Sequence, residues 1–295
     1  NLKLRFSWGI NGNRDIGRYS ALARLSQNLY SNGSQVLVGV YNNSLANPGL
    51  VWEKTEALNL GLDLGLWEGK LNASFEVYNM VTEDLLMNRN LPQVTGFDNI
   101  TTNLGKLENR GLELTLNSVN MTTNNFIWKS DFVFSLNRNK IISLFGDYEE
   151  VEVNGEIVER EVSDIANQWF IGEALDRVWN YDITGVWQVD EADEAQSYGL
   201  SPGDYKAVDV NGDGSYTTLE DKQFIGYSQP RYRLGFRNNF NFLQNFSASI
   251  FIRADLGHIG GVSSFLHNSS NLYDRLGMRA VPYWTEANPS NQYGS

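Results

Sequence analysis

Apolar and polar residues alternate with period two along much of this chain, the signature of β-strands whose two faces meet different surroundings. Leu2, Leu4, Phe6, Trp8 and Ile10 alternate with Lys3, Arg5, Ser7, Gly9 and Asn11. Leu58, Leu60, Leu62, Leu64 and Leu66 alternate with Asn59, Gly61, Asp63 and Gly65. The pattern recurs from Leu71 to Tyr78, Leu112 to Asn117, Trp128 to Leu136, Arg231 to Phe242 and Phe246 to Asp255. It predicts roughly seven strands of about 10–12 residues each, long for a soluble sheet and right for crossing a bilayer.

The connections sharpen this reading. Short turns fall near 67–70, 119–126 and 243–245, and long excursions at 12–54, 83–107, 139–230 and from 257 onward. Short and long connections therefore alternate, which puts all the long ones at one end. An outer-membrane barrel is built this way, with short periplasmic turns, long extracellular loops and strands that are apolar outside and polar inside. The expected fold is an all-β transmembrane antiparallel barrel. Trp8, Trp67, Tyr78, Phe126, Trp128 and Tyr232, near strand ends, are expected in interfacial girdles. Arg231, Arg233, Arg237, Asn239 and Arg253 are expected to face the lumen, packed and solvated there with Asp255, Glu113 or the acids of a plug inside the barrel as partners. The alternative is a soluble β-sandwich that buries the same apolar residues.

Composition narrows the chemistry. A formal charge of −12 and a pI near 4.7 argue against a nucleic-acid partner, which needs a basic stripe. The absence of cysteine excludes disulfides, thiolate metal sites and thiol nucleophiles. The two histidines, His258 and His267, lie in a Gly/Ser/Asn-rich stretch and form no metal-binding pair. No nucleophile elbow, phosphate-binding loop or Rossmann glycine run occurs, so no catalytic activity is expected. No apolar run approaches the length of about 20 residues that a transmembrane helix needs. The opening NLKLRFSWGING reads as a strand already under way, and the expectation is a piece of a longer polypeptide.

Several short motifs occur in a telling order. They are Leu45-Ala-Asn-Pro-Gly-Leu-Val-Trp-Glu53 followed by Asn59-Leu-Gly-Leu-Asp63, then Asn103-Leu-Gly105 through Asn109-Arg-Gly-Leu-Glu-Leu114, and Asn137-Arg-Asn-Lys140. Gly172 to Gln188, Pro202-Gly-Asp204, Phe224-Ile-Gly226 through Pro230, and Trp284-Thr285 with Asn288-Pro289 follow. Together they resemble the C-terminal part of SusC/RagA-type TonB-linked (TonB-dependent) outer-membrane transporters of Bacteroidetes-type bacteria. The resemblance implies part of a barrel of about 22 strands, with the plug, the N-terminal strands and the last strands outside this chain. It also implies a glycan or peptide importer, a SusD-like surface lipoprotein as partner, and TonB–ExbB–ExbD acting through the missing N-terminal part. Two other readings stay open. One is a SusC-like barrel serving as structural or assembly subunit of a larger outer-membrane complex. The other is a secreted calcium-binding β-sandwich that binds carbohydrate.

Within the 139–230 excursion, Asp209-Val-Asn-Gly-Asp-Gly-Ser-Tyr-Thr-Thr-Leu-Glu-Asp221 spells an oxygen-ligand loop. Asp209, Asn211 and Asp213 stand at positions one, three and five, Gly214 at the sharp turn, and the Ser215 carbonyl at seven. Glu220 occupies position twelve. Counted back from Ile225-Gly226, however, Asp221-Lys222 matches the acid–base pair of the resembled family, so either Glu220 or Asp221 completes the set. No flanking helices mark an EF-hand, and the expected role is a structural Ca2+ that holds an acidic loop in shape. The same excursion carries Trp169, Phe170, Trp179, Tyr181 and Trp187, read either as stacking platforms for cargo or as the loop's own small core.

Overall fold

A computed structural model describes the chain apart from residues 15–18, 154, 244, 261–281 and 295. His267 lies outside the described residues. The strands, in chain order, are β1 (Leu2–Asn13), the hairpin β2 (Leu25–Ser31) and β3 (Val36–Asn42), then β4 (Glu53–Leu66) and β5 (Leu71–Glu83). A second hairpin, β6 (Leu86–Asn90) and β7 (Asn99–Asn103), precedes β8 (Lys106–Thr122) and β9 (Phe126–Ser143). The last long excursion holds β10 (Tyr148–Val153), β11 (Glu156–Glu161), β12 (Arg177–Tyr181), β13 (Ile183–Val186), the helix α1 (Ala192–Ser197), β14 (Tyr205–Ala207) and β15 (Lys222–Tyr227). It leads to β16 (Tyr232–Phe242) and β17 (Phe246–Leu256).

Seven of these strands form one antiparallel sheet in the order β1-β4-β5-β8-β9-β16-β17. The register lines up the apolar positions across all seven: Leu4, Leu62, Phe75, Leu114, Phe134, Leu234 and Ala254 are successive cross-strand partners. One step along the strands, Arg5, Gly61, Glu76, Glu113, Ser135, Arg233 and Asp255 form the equivalent row on the other face. A one-residue slip anywhere would move a strand's whole apolar set to the wrong face, so the alternation itself selects the pairing.

No hydrophobic side chain on the apolar face of this sheet is buried among the described residues; Ile141, the one buried hydrophobic in its strands, lies on the polar face. A sandwich would bury that face, so the β-sandwich expectation is corrected. Packing on the polar face is tight where glycines sit. A Cβ at Gly111 would collide with the Tyr78 ring and the Leu136 carbonyl, while the Tyr78 hydroxyl donates to Asn137 Oδ1 at 3.1 Å. Tyr78 pairs across from Asn59 and Gly111 and so covers a glycine on the polar face, not the girdle expected for it.

The other aromatics of that set lie near strand ends, with Tyr232 opening β16. At the short-turn end the Trp128 and Phe126 rings stack against Phe240, with centroids 6.0 and 6.4 Å apart, and Phe242 stacks on Phe246 at 5.8 Å. Trp67 lies in the β4–β5 turn. At the long-loop end Trp8 donates its indole N–H to Glu56 at 2.7 Å. Residues 1–175 and 231–256 form one unit, and residues 176–230 with 257–295 form a second. The 139–230 excursion is therefore not one loop: β9 runs on to Ser143, and the chain up to Leu175 belongs with the sheet.

Candidate functional site

Two arrangements stand out, one on the polar face of the sheet and one in the second unit. On the polar face, Arg5 donates from Nε and Nη2 to both Asp63 oxygens, at 2.9 and 3.0 Å. It also reaches Glu76 at 3.2 Å and Ser74 at 3.2 Å, and Ser74 in turn donates to Asp63 at 2.8 Å. The guanidinium lies over Gly61, where a Cβ would come within 2.8 Å of it. A two-pronged arginine–carboxylate pair fixes orientation as well as charge, and the missing side chain makes room for it.

The arginines expected in the lumen belong to the same face. Arg233 pairs across from Asp255, and Arg253 forms an ion pair with Asp255 at 2.8 Å. Arg237 lies across from Asp131 and over the Phe251 ring at 5.3 Å. Arg231 comes one residue before β16, and its backbone N–H donates to the Leu256 carbonyl. Glu113, Thr115, Ser135, Arg233, Phe251 and Arg253 are among the residues lining a cleft of 340 Å³ on this side of the sheet.

The second unit is built around aromatic packing. Trp187 is 1 % exposed, with Tyr198 at 5.8 Å and Lys206 Nζ 4.0 Å from its ring centroid. Lys206 also pairs with Glu191 at 2.7 Å. The Lys206 ammonium holds the Glu191 carboxyl below its usual range, and Glu191 in turn raises Lys206. Gln188 and Glu191 form a reciprocal capping box that leads into α1. Trp179 is buried as well, donating its indole N–H to the Lys222 carbonyl at 3.0 Å, while Lys222 Nζ lies 5.4 Å from both the Trp179 and Tyr181 rings. Trp284 closes this core by donating to Gln188 Oε1 at 3.1 Å.

The aromatic set expected to meet cargo is thus divided. Trp187 and Trp179 are interior residues, with no open ring face on Trp187 for a ligand. Tyr181 is half-buried 6.3 Å from Tyr216. Trp169 belongs to the first unit, where it forms a two-residue bridge with Asp164.

In the Asp209–Asp221 loop the carboxylates turn toward the loop's own amides. Asp209 Oδ1 accepts the Gly212 N–H at 2.7 Å, and Oδ2 accepts the Gly214 N–H and the Tyr198 hydroxyl, both at 2.9 Å. The Gly214 amide is the main cause that holds the Asp209 carboxyl low, and the bond to Asp209 pushes the Tyr198 phenol up to about 12. Asn211 Oδ1 accepts from Asp213 N, and Asp213 Oδ1 from Ser215 N at 2.8 Å.

Glu220 and Asp221 take different places in the loop. Asp221 is fully buried and accepts the Val210 and Thr217 N–H groups at 2.9 and 2.7 Å. Glu220 is exposed and touches the Thr217 hydroxyl at 3.0 Å. Among the described residues no three His, Cys, Asp or Glu side chains converge on a metal position. The donor chemistry still suits a hard cation, because an Asp carboxylate has about four lone-pair sites and Asp209 uses three of them.

Sequence reasoning missed the Tyr198–Asp209 bond, the Lys206–Glu191 pair over Trp187, and the interior placement of Asp221. None of these has a local signal, because each joins residues brought together by the fold of the second unit.

Residues 1–238 match the family model for the TonB dependent receptor-like β-barrel. The chain belongs to the TonB-dependent receptor-like β-barrel family. It is 34% identical over 261 residues to TonB-dependent receptor P3 of Formosa agariphila, covering 86% of this chain and 25% of that receptor. It is 28% identical over 290 residues to TonB-dependent receptor SusC of Bacteroides thetaiotaomicron, covering 92% of this chain and 26% of SusC. The solved RagAB peptide transporter shares the fold, with a TM-score of 0.69 at 22% identity, over 99% of this chain and 31% of that one. The chain thus spans about a quarter of the curated relatives it matches. Barrels of this TonB-dependent receptor family lie in the bacterial outer membrane. The family is one of receptors, not of catalysts.

Proposed function

We propose that this chain is the wall and outer rim of a SusC/RagA-like importer for oligosaccharides or oligopeptides. Its long loops face outward toward a SusD-like lipoprotein. Energy reaches it from TonB–ExbB–ExbD through parts of the protein outside this chain. The observation that carries the reading is the seven-strand register, which separates a mainly apolar face, turned to lipid in this reading, from a face of paired arginines and carboxylates, turned inward. A polar inner wall of this kind lets a hydrated cargo pass without stripping its water. The proposal is tested by deleting the gene and following uptake of labelled glycans and peptides. Loss of uptake of one cargo class, restored by complementation and abolished by a protonophore, supports it. Undiminished uptake together with failure of a larger outer-membrane complex to assemble favours the scaffold role instead.

The Asp209–Asp221 loop has a structural part in this reading. Asp209, Asn211, Asp213 and the Ser215 carbonyl would hold Ca2+, which would offset repulsion in an acidic loop whose shape Asp221 already secures. The check is a Ca2+-dependent rise in melting temperature that disappears in the Asp209→Ala/Asp213→Ala variant. An equal rise in that variant places the ion elsewhere.

A further inference from the structure

On β8 and β9 the apolar run on the lipid-facing side of the sheet ends sharply toward the long loops. Phe6, Leu60, Val77, Leu112 and Leu136 form the last row that is apolar on all of β1, β4, β5, β8 and β9. The next row reads Trp8, Leu58, Asn79, Arg110 and Arg138. Arg110 and Arg138 are direct cross-strand partners, and Lys140 lies two residues further along the same face of β9. Like charges placed directly opposite weaken an antiparallel pair, so this arrangement needs a counter-charge.

The rim itself supplies little of it. Lys106 is matched by Glu83 at 2.6 Å and Lys54 by Asp84 at 3.3 Å, and Glu56 already accepts the Trp8 indole. Arg138 is anchored without being neutralised: Nη1 donates to the Asn137 and Arg231 carbonyls, and its Cζ lies 4.9 Å from the Tyr232 ring centroid. Among the cross-strand partners of these three cations in the described sheet, Glu108, opposite Lys140, is the one acid. A net positive patch on the membrane face stands against a chain whose formal charge is −12.

Depth identifies the occupant. From Trp128 in the aromatic belt to Arg138 is ten residues of β9, about 33 Å along a strand. At a tilt of about 40° this becomes about 25 Å along the membrane normal, the height of a barrel's apolar band. The guanidinium groups therefore lie at headgroup level, with Leu112, Leu114, Leu116 and Leu136 directly below them for acyl chains.

We propose that Arg110, Arg138 and Lys140 form a docking site for the phosphorylated headgroup of an outer-leaflet lipid. A phosphate between the two guanidinium planes accepts paired hydrogen bonds from each and converts their repulsion into shared attraction. The contiguous apolar rows select a lipid over free phosphate. The inference rests on the long loops being extracellular.

The test is native mass spectrometry of the full-length protein in detergent, titrated with lipid A, with dephosphorylated lipid A and with inorganic phosphate. Wild-type protein retains lipid A, and the Arg110→Gln/Arg138→Gln/Lys140→Gln variant binds it at least tenfold more weakly. The inner-face control Arg233→Gln/Arg237→Gln binds as wild type. Equal retention by the triple variant, equal retention of the dephosphorylated lipid, or equal affinity for inorganic phosphate overturns the proposal. A cysteine at Ser34, labelled on intact cells, tests the orientation separately: no labelling refutes the extracellular loops, whatever the lipid titration shows.

Discussion

Removing the Asp221 carboxylate should loosen the 209–221 loop far more than removing that of its neighbour Glu220. The side chain is fully buried and each of its oxygens accepts one backbone amide, from Val210 at 2.9 Å and Thr217 at 2.7 Å. A hydrogen bond to a charged acceptor is worth about 1.5–3 kcal/mol, so Asp221→Ala removes about 3–6 kcal/mol of local stability. Asp221→Asn keeps one acceptor and turns an NH2 group toward the other amide, which gives about half that loss. Glu220→Ala, at an exposed position, should stay within about 0.5 kcal/mol. Hydrogen exchange on the full-length protein in detergent reads this directly. At 1.4 kcal/mol per tenfold, exchange of the Val210 and Thr217 amides should accelerate by about two to four orders of magnitude in Asp221→Ala. The wild-type protection should persist in EDTA, because the clamp is made of protein groups. Greater deprotection in Glu220→Ala than in Asp221→Ala, or collapse of the wild-type loop on chelation, would refute this reasoning.

Three further outcomes rest on other contacts of the two units. The second unit should be most stable on a plateau bounded by acid and alkali. Asp209 and Glu191, held below their ordinary values by the Gly214 amide and Lys206, contribute stability that is lost as pH falls through their folded values. Tyr198, pushed up to about 12 by Asp209, contributes stability that is complete below pH 10.0 and lost between there and about 12. Melting curves across pH should lose most of that alkaline limb in Tyr198→Phe, and an unchanged limb contradicts the assignment. Gly111→Ala should cost about 1–3 kcal/mol by overpacking against Tyr78 and the Leu136 carbonyl; Tyr78→Ala in the same chain should recover only part of it, as seen by thermal unfolding in detergent. Asn238→Leu removes the acceptor of Trp128 Nε1 at 2.9 Å and of the buried Ser130 hydroxyl at 2.6 Å. It should destabilise by about 1–3 kcal/mol although it places a more apolar side chain on the lipid face, and a gain in stability would contradict it.

The sheet was legible because a strand writes its two faces into alternate residues, and the seven alternating runs, paired in chain order, became its seven strands. Lengths were less legible. β8 and β9 run to 17 and 18 residues, since their rim segments around Glu108, Arg110, Arg138 and Lys140 leave the apolar band and drop the alternation that marks a strand. The hairpins β2–β3 and β6–β7 went unread for a related reason: a two-stranded ribbon needs no continuous apolar face, although Val36, Val38 and Val40 do alternate. At the loop, Asp-x-Asn-x-Asp-Gly announces its oxygen donors, but which carboxylate turns inward depends on where the Val210 and Thr217 amides come to lie. The same limit applies to Trp179 and Trp187. An indole is equally suited to stacking on a cargo and to filling a core, and only the neighbours Lys206, Tyr198 and Lys222 decide between them.

The central claim is the division of the sheet into a lipid face and an inner face. The chain contains no cysteine, so single cysteines along β8 report that division once any cysteine elsewhere in the full-length protein is replaced. Placed in turn at Leu112, Glu113, Leu114, Thr115 and Leu116 of the full-length protein in liposomes, a bound fluorophore is read with a lipid-borne quencher and an aqueous one. Positions 112, 114 and 116 should be quenched from the lipid and positions 113 and 115 from water. Uniform quenching along the strand, or the opposite phase, would contradict the account.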